Sequence, residues 1–238
     1  EIIKLTQFGE KQMKLYEAIR VTMEERVKEA IEKKGLNSSH ITILDALLKL
    51  RQVCCDPSLL KVKEAKNVKE SAKLELFLEL IEDLLEEGRK ILVFSQFTSM
   101  LKIIEDKIIE KNIKYSKLIG STKDREQVIN QFRDGETDIF LISLKAGGVG
   151  LNLVEADTVI HYDPWWNPAV ENQATDRAYR IGQDKPVFVY KLIVENSIEQ
   201  KILELQKKKK QIEESLYDSE KQQEDLTFRG TELLELLK

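Results

Sequence analysis

The chain has 238 residues, 42% of them apolar and 34% charged, and a net charge of −4. It is long enough for one or two domains with a real core, and it is not a wholly basic nucleic-acid binder, so any phosphate-binding surface must be a local patch. Its only cysteines, the adjacent Cys54 and Cys55, exclude a disulfide scaffold and a C-x-x-C metal site, and no apolar run is long enough to span a bilayer.

The histidines, His40 and His161, form no metal-ligand cluster. No signal peptide or lipidation motif is legible, so the chain is expected in the cytoplasm, on a nucleoid or in a nucleus, and not at a membrane.

In chain order, residues 5–35 read as one long amphipathic helix that stops at Gly35, with Leu15, Ile19, Val27 and Ile31 on its apolar side. Nothing in the first ~70 residues alternates as a strand does. Ser38 or Ser39 is placed to cap a second helix over 41–56, which must stop before Pro57 because the residue preceding proline avoids helical angles. Cys54 and Cys55 read as packing residues of that helix, not as reactive thiols. The polar run 61–71 reads as a linker, dividing a helical lead-in over 1–71 from an α/β body over 72–205, with a C-terminal helix and tail over 206–238.

From Lys73 onward, helices alternate with short, continuously apolar strands, the pattern of a mostly parallel sheet covered on both faces. Strands are expected over 90–96, 113–120, 138–143, 157–163 and 187–194. Helices are expected over 73–88, 99–112 and 124–135. Thr98 or Ser99 serves as one cap, Ser121-x-x-Asp124 as a capping box, and Gly88 and Gly135 as stops. Such sheets place ligands outside the carboxyl ends of their strands. Ser95–Gln96, Gly120–Thr122, Ser143–Gly150 and Asp163–Trp166 all fall at such ends.

A helix then begins at Pro168, with Asn167 as N-cap, and is expected to run to Gly182. On it, Gln173, Arg177 and Arg180 share one face at i, i+4, i+7 spacing, with Ala174, Ala178 and Ile181 as the apolar stripe. The two arginines are either a solvated surface pair or a phosphate site, for which the planar guanidinium fork is suited. Of Trp165 and Trp166, one should turn inward and the other toward the rim. His161 reads as a core histidine and the run 206–211 as a solvated helix face.

The glycine run 147–150 alone suggests only a tight turn, and no GxxxxGK[ST] loop occurs in the chain. In combination, however, SLKAGGVGLNL, DPWWNP and QATDRAYRIGQ resemble motifs V, Va and VI of the Swi2/Snf2 helicase-like ATPases within helicase superfamily 2. ILVFSQFTSML resembles motif IV, and YSKLIGSTKDREQVINQF and VYKLIVENSIEQKIL extend the match, so that it covers residues 73–205 in order. LRQVCCDPSLL resembles the segment that precedes the second motor lobe in that family.

The resemblance implies a RecA-like three-layer α/β fold with a mostly parallel sheet, preceded by a helical segment and followed by a brace helix. It assigns Ser95, Gln96, Gly120, Thr122, Ser143, Lys145 and Trp166 to the DNA backbone, and Gly150, Asn152 and Gln173 to the nucleotide. Arg177 and Arg180 become arginine fingers for the γ-phosphate of ATP. ATP and Mg²⁺ would be held mainly by the N-terminal RecA-like lobe of the same polypeptide. This chain carries neither a P-loop lysine nor an acidic magnesium motif, and by itself is expected to be inactive. Double-stranded DNA and a DNA-bound protein complex, the remodelling target, are the implied partners. A non-catalytic DNA-binding module and a strand-separating helicase remain alternatives. A dinucleotide-binding domain ranks last, because residues 151–156 lead into a strand where that fold needs a helix.

Overall fold

Short runs of Ile, Leu, Val and Phe that are buried on both faces can satisfy their backbones only within a sheet, and they dictate its centre. The computed structural model describes residues 1–147, 151–165, 167–179, 183–216 and 230–237. Strands β1 (Ile2–Thr6), β2 (Ile91–Ser95), β3 (Tyr115–Leu118), β4 (Ile139–Ser143), β5 (Thr158–His161) and β6 (Phe188–Val194) form one sheet in the order β1-β6-β5-β2-β4-β3. β2 through β6 pair in parallel. The three central strands β5, β2 and β4 are buried along their whole lengths, whereas the edge strand β3 alternates half-buried and buried positions.

Helices α3 (Ala72–Glu86), α4 (Thr98–Glu110), α5 (Arg125–Arg133) and α7 (Pro168–Thr175) fill the crossovers, and a single turn, α6 (Leu144–Gly147), follows β4 directly. These confirm the α/β expectation, with strands trimmed by a residue or more at most ends. Gly88 and Gly135 terminate α3 and α5 at φ of 72° and 80°. In each case the next residue donates back to a carbonyl five positions earlier, Arg89 to Leu84 and Glu136 to Gln131, a closure that requires the left-handed region glycine enters freely.

Chain contacts divide the protein into two units. Residues 1–6 and 73–193 form the first, and residues 7–72 and 194–238 the second. The second unit is helical: α1 (Glu10–Lys34) packs on α2 (His40–Cys55), with α8 (Ile198–Leu216) and α9 (Gly230–Leu237) against α2. Leu15, Val27, Cys54 and Cys55 are buried there, as the packing reading requires. Gln12 ties the unit together, its amide donating to the Val53 carbonyl (2.9 Å) and accepting from the Ala72 N–H (3.1 Å).

Several local expectations are corrected. The chain opens with strand β1, so the long helix starts only at Glu10. The apolar spacing of Leu5 continues the helical pattern and masks an edge strand whose single neighbour is β6. Ser39 does not cap α2 with its side chain but donates to the Gly35 carbonyl (2.8 Å). Phe97, not Thr98 or Ser99, is the N-cap of α4, and the entry turn is held by the Ser95 hydroxyl accepting the Phe97 N–H (3.1 Å). Asp124 caps α5 itself, accepting the Gln127 N–H (3.0 Å), which displaces the proposed box starting at Ser121. The linker region contains a 3₁₀ turn, Glu64–Asn67, that buries Ala65.

Candidate functional site

Parallel register brings Ser95 and Ser143 side by side at the carboxyl ends of β2 and β4, with His161 beside Phe94 and the 162–163 segment continuing past β5. The rim is therefore real, but its polar groups differ in availability. The Ser95 hydroxyl is buried and donates to Asp163 Oδ1, while Asp163 Oδ2 accepts the Gln96 N–H (3.1 Å). Asp163 thus fixes the turn after β2 from the neighbouring strand end. Behind it, the fully buried Lys73 ammonium donates to the Tyr162 carbonyl (3.1 Å) and lies 5.5 Å from the Tyr162 ring centroid. Neither Asp163 nor Lys73 stood out in the sequence as a positioning group, because a carboxylate and a lysine are ordinarily surface residues.

Gly120 and Thr122 lie in a tight turn after β3. Thr122 Oγ1 accepts the Ile119 N–H (3.0 Å) and the Thr122 N–H returns to the Ile119 carbonyl (3.1 Å), leaving Gly120 exposed. Ser143 is buried and its hydroxyl accepts the Ala146 N–H (3.3 Å), capping the turn α6 that carries the exposed Lys145. A helical turn, not bare loop, therefore opens the glycine segment. Gly150 and Trp166 lie outside the described residues, and Trp165 is half-buried.

Two arginines of α5, unremarkable in the sequence, reach this segment. Arg125 Nη2 donates to the Ala146 carbonyl (3.0 Å) and Arg133 Nη2 to the Asn152 carbonyl (2.6 Å), so one helix holds both shoulders of the glycine run. The Asn152 backbone is thereby engaged, while the residue is exposed.

Helix α7 begins as expected, with Asn167 Oδ1 accepting the Ala169 N–H (3.0 Å) and Pro168 at the first helical position. It ends earlier than expected, at Thr175. Beyond it the Arg177 and Ala178 N–H groups bond to carbonyls three residues back, Ala174 and Thr175. For Gln173 and Arg177 that tightening breaks the expected shared face, since a turn closed at three residues rotates later side chains off the 3.6-residue face. Gln173 is exposed on α7, whereas Arg177 lies past its end and is buried at 3% exposure. Arg180 and Gly182 lie outside the described residues. Of the apolar stripe, Ala174 and Ala178 pack in the core with Leu92, Phe94, Phe140 and Leu153, and Ile181 lies outside the described residues.

The arginine-bearing turn is stitched to the segment after the glycine run, because the Leu153 N–H donates to the Arg177 carbonyl (2.9 Å). A buried ion pair secures the other end of α7. Glu171 Oε1 accepts the Trp165 N–H (2.7 Å), and Glu171 Oε2 lies 2.8 Å from the Lys191 ammonium on β6. Burial works against the charged form of Lys191, but Glu171 and Glu1 outweigh it and raise its pKa overall. His161 stacks on Phe94 and bonds Thr175 Oγ1 through Nε2 (3.0 Å). Burial, aided by Lys191, depresses its pKa to about 3, so it is a neutral core residue.

Among the described residues no three His, Cys, Asp or Glu side chains gather as a metal site, and no helix is long and apolar enough to cross a membrane.

Comparison with known proteins is consistent with this geometry. Residues 72–182 match the model of the helicase conserved C-terminal domain. The chain is 33% identical to a Sulfolobus solfataricus SWI2/SNF2 ATPase C-terminal domain, covering 90% of this chain and 87% of that one at a TM-score of 0.71. It is 34% identical to the SWI2/SNF2 ATPase core from the same organism, solved in complex with double-stranded DNA, over 92% of this chain and 46% of that one (TM-score 0.72). An uncharacterized ATP-dependent helicase of Mycoplasma pneumoniae is 42% identical over 203 residues, 84% of this chain but 19% of that protein. The chain thus spans about a fifth of the length of the curated relatives it matches.

Proposed function

We propose, from the premise that this chain belongs to the Swi2/Snf2 family of ATP-dependent helicase-like proteins as its RecA-like C-terminal lobe, that it is the DNA-gripping and arginine-donating half of a double-stranded DNA translocase. ATP and Mg²⁺ would be held by the first lobe of the same polypeptide. In this reading Gln96, Gly120, Thr122, Ser143, Lys145 and Trp166 meet DNA phosphates along the rim. Ser95, whose hydroxyl is engaged by Asp163, shapes that rim from beneath.

Gly150, Asn152 and Gln173 face the nucleotide, and Arg177 and Arg180 stabilise charge developing on its γ-phosphate. Because the Arg177 side chain is buried in this lobe, the reading requires that side chain to swing toward the nucleotide when the cleft closes on ATP, while its backbone carbonyl stays held by Leu153. The moving DNA rim would then displace or remodel a protein bound on the duplex.

The observation that carries the reading is the bond from the Leu153 N–H to the Arg177 carbonyl. It ties the end of the glycine segment to the arginine turn, so that the groups assigned to the nucleotide are carried on connected backbone. Replacing Arg177 or Arg180 with alanine in the two-lobe ATPase is expected to lower DNA-stimulated kcat by about 10³-fold or more, leaving duplex affinity intact. Unchanged turnover in both variants would point instead to a DNA-binding module. Unwinding of a forked duplex would move the protein among the strand-separating helicases.

A further inference from the structure

We infer that Gln183 is a positioning residue, the clasp that sets the arginine segment against the end of the glycine segment; the inference rests on the arginine-donating function proposed above. Its Nε2 donates to the Val154 carbonyl (2.8 Å), the Ala156 carbonyl (2.7 Å) and, more weakly, the Ala178 carbonyl (3.2 Å). Its Oε1 accepts the Lys185 N–H (3.0 Å). A primary amide has two donor hydrogens and an acceptor oxygen, so the short bonds to Val154 and Ala156 use one hydrogen each and the third contact is shared.

Two of the three carbonyls belong to the segment after the glycine run and one to the turn that contains Arg177. Together with the Leu153–Arg177 bond, the amide ties Gln183 and the Arg177–Ala178 turn to the same segment after the glycine run. Simple loop capping would engage neighbours in sequence. Gln183 instead reaches 27 and 29 residues back along the chain. Only a side chain of this length with two donors satisfies the set: glutamate offers no donor and would press a carboxylate against three carbonyl oxygens, and methionine keeps the shape without the bonds.

The consequence is kinetic. Groups that act only in the transition state must be held within a fraction of an ångström, and a 1 Å misplacement costs about 10²-fold in rate. Loosening the clasp should therefore lower kcat without weakening ground-state binding of ATP. The test uses the two-lobe ATPase with Gln183→Met, Gln183→Glu, Arg177→Ala and Arg180→Ala. Measured are kcat per titrated active site at saturating duplex DNA, KM for ATP, affinity for ADP–aluminium fluoride relative to ADP, and Tm. For Gln183→Met the expected result is a loss in kcat of about 10²-fold with KM held within about twofold, and a matching loss of preference for the aluminium fluoride complex. Gln183→Glu should lose more. Backbone amides of residues 177–185 should exchange faster while those of β2 and β4 do not.

Loss in Arg180→Ala but wild-type kcat in both Gln183 variants overturns the clasp alone. A loss that appears only as fewer active sites and a lower Tm also overturns it, since that is what a merely structural residue would show. Unchanged turnover in both Arg177→Ala and Arg180→Ala overturns the arginine reading, and the clasp with it.

Discussion

His161 shows how a single side chain can report on the whole sheet. It sits at 1% exposure at the end of β5, flat against Phe94 and bonded to Thr175 of α7. Burial, and behind it the Lys191 charge, lowers its pKa from 6.5 to about 3. The unfolded chain therefore binds a proton at this position between those values that the folded chain does not. The stability this histidine contributes is complete above pH 6.5 and is lost as the pH falls toward 3, at a slope of at most about 1.4 kcal/mol per pH unit. Replacing His161 with glutamine, which can still bond Thr175, should flatten this acid limb. The gap in Tm between pH 7 and pH 5 should narrow relative to the unsubstituted protein. An unchanged gap would mean that other groups govern acid unfolding. Lys191 and Glu171 set a complementary constraint, for the pair closes α7 against β6; removing Lys191 strands the buried Glu171 carboxylate at a cost of about 3–5 kcal/mol, whereas removing Glu171 leaves Lys191 its bridge to Glu1.

Among the elements, α7 separates what local chemistry determines from what tertiary contacts decide. Its beginning is written in Asn167 and Pro168, a side-chain acceptor followed by a residue with no N–H to leave unsatisfied. Asn167→Ala is expected to cost about 1 kcal/mol and to lower Tm measurably, with Asn167→Asp or Asn167→Ser restoring most of it; no loss in the alanine variant would show that the cap is satisfied from elsewhere. Its end is written nowhere in Ala-Thr-Asp-Arg-Ala, which continues the helical spacing past Thr175. Past Thr175 the backbone tightens into three-residue bonds, and the Arg177 carbonyl is taken by Leu153, a residue more than twenty positions earlier, a tertiary partner that the local sequence does not announce. The same division holds elsewhere. β2, β4 and β5 were legible because a strand buried on both faces is apolar throughout. β1 was not, because five residues on a sheet edge carry no such run. The rim residues were legible as strand ends. The groups that hold them were not: Lys73, Arg125, Arg133 and Gln183, and the holding role of Asp163, itself read only as a strand end, each depend on a partner on a different element.

At the scale of the whole molecule, the decisive quantity is what two lobes must each supply. Phosphoryl transfer needs a cradle for the β- and γ-phosphates, a metal ion to neutralise them, and cations that meet the charge of the transition state. This chain contains no GxxxxGK[ST] sequence in its 238 residues, and its described part gathers no metal-ligand set. What the proposed reading gives it is the third requirement and the DNA-facing rim. The purified chain is accordingly expected to bind duplex DNA with an affinity that falls steeply as salt rises, because contacts to phosphates of the kind proposed for Lys145 and its rim neighbours would release counterions. The same preparation should turn over ATP no faster than a buffer control, with or without DNA. Addition of the first lobe as a separate polypeptide should restore DNA-stimulated hydrolysis that Arg180→Ala in this chain abolishes. Turnover by the chain alone would show that it holds ATP by some other route. Hydrolysis by the first lobe that ignores the arginine substitution would place the charge-stabilising groups outside this chain.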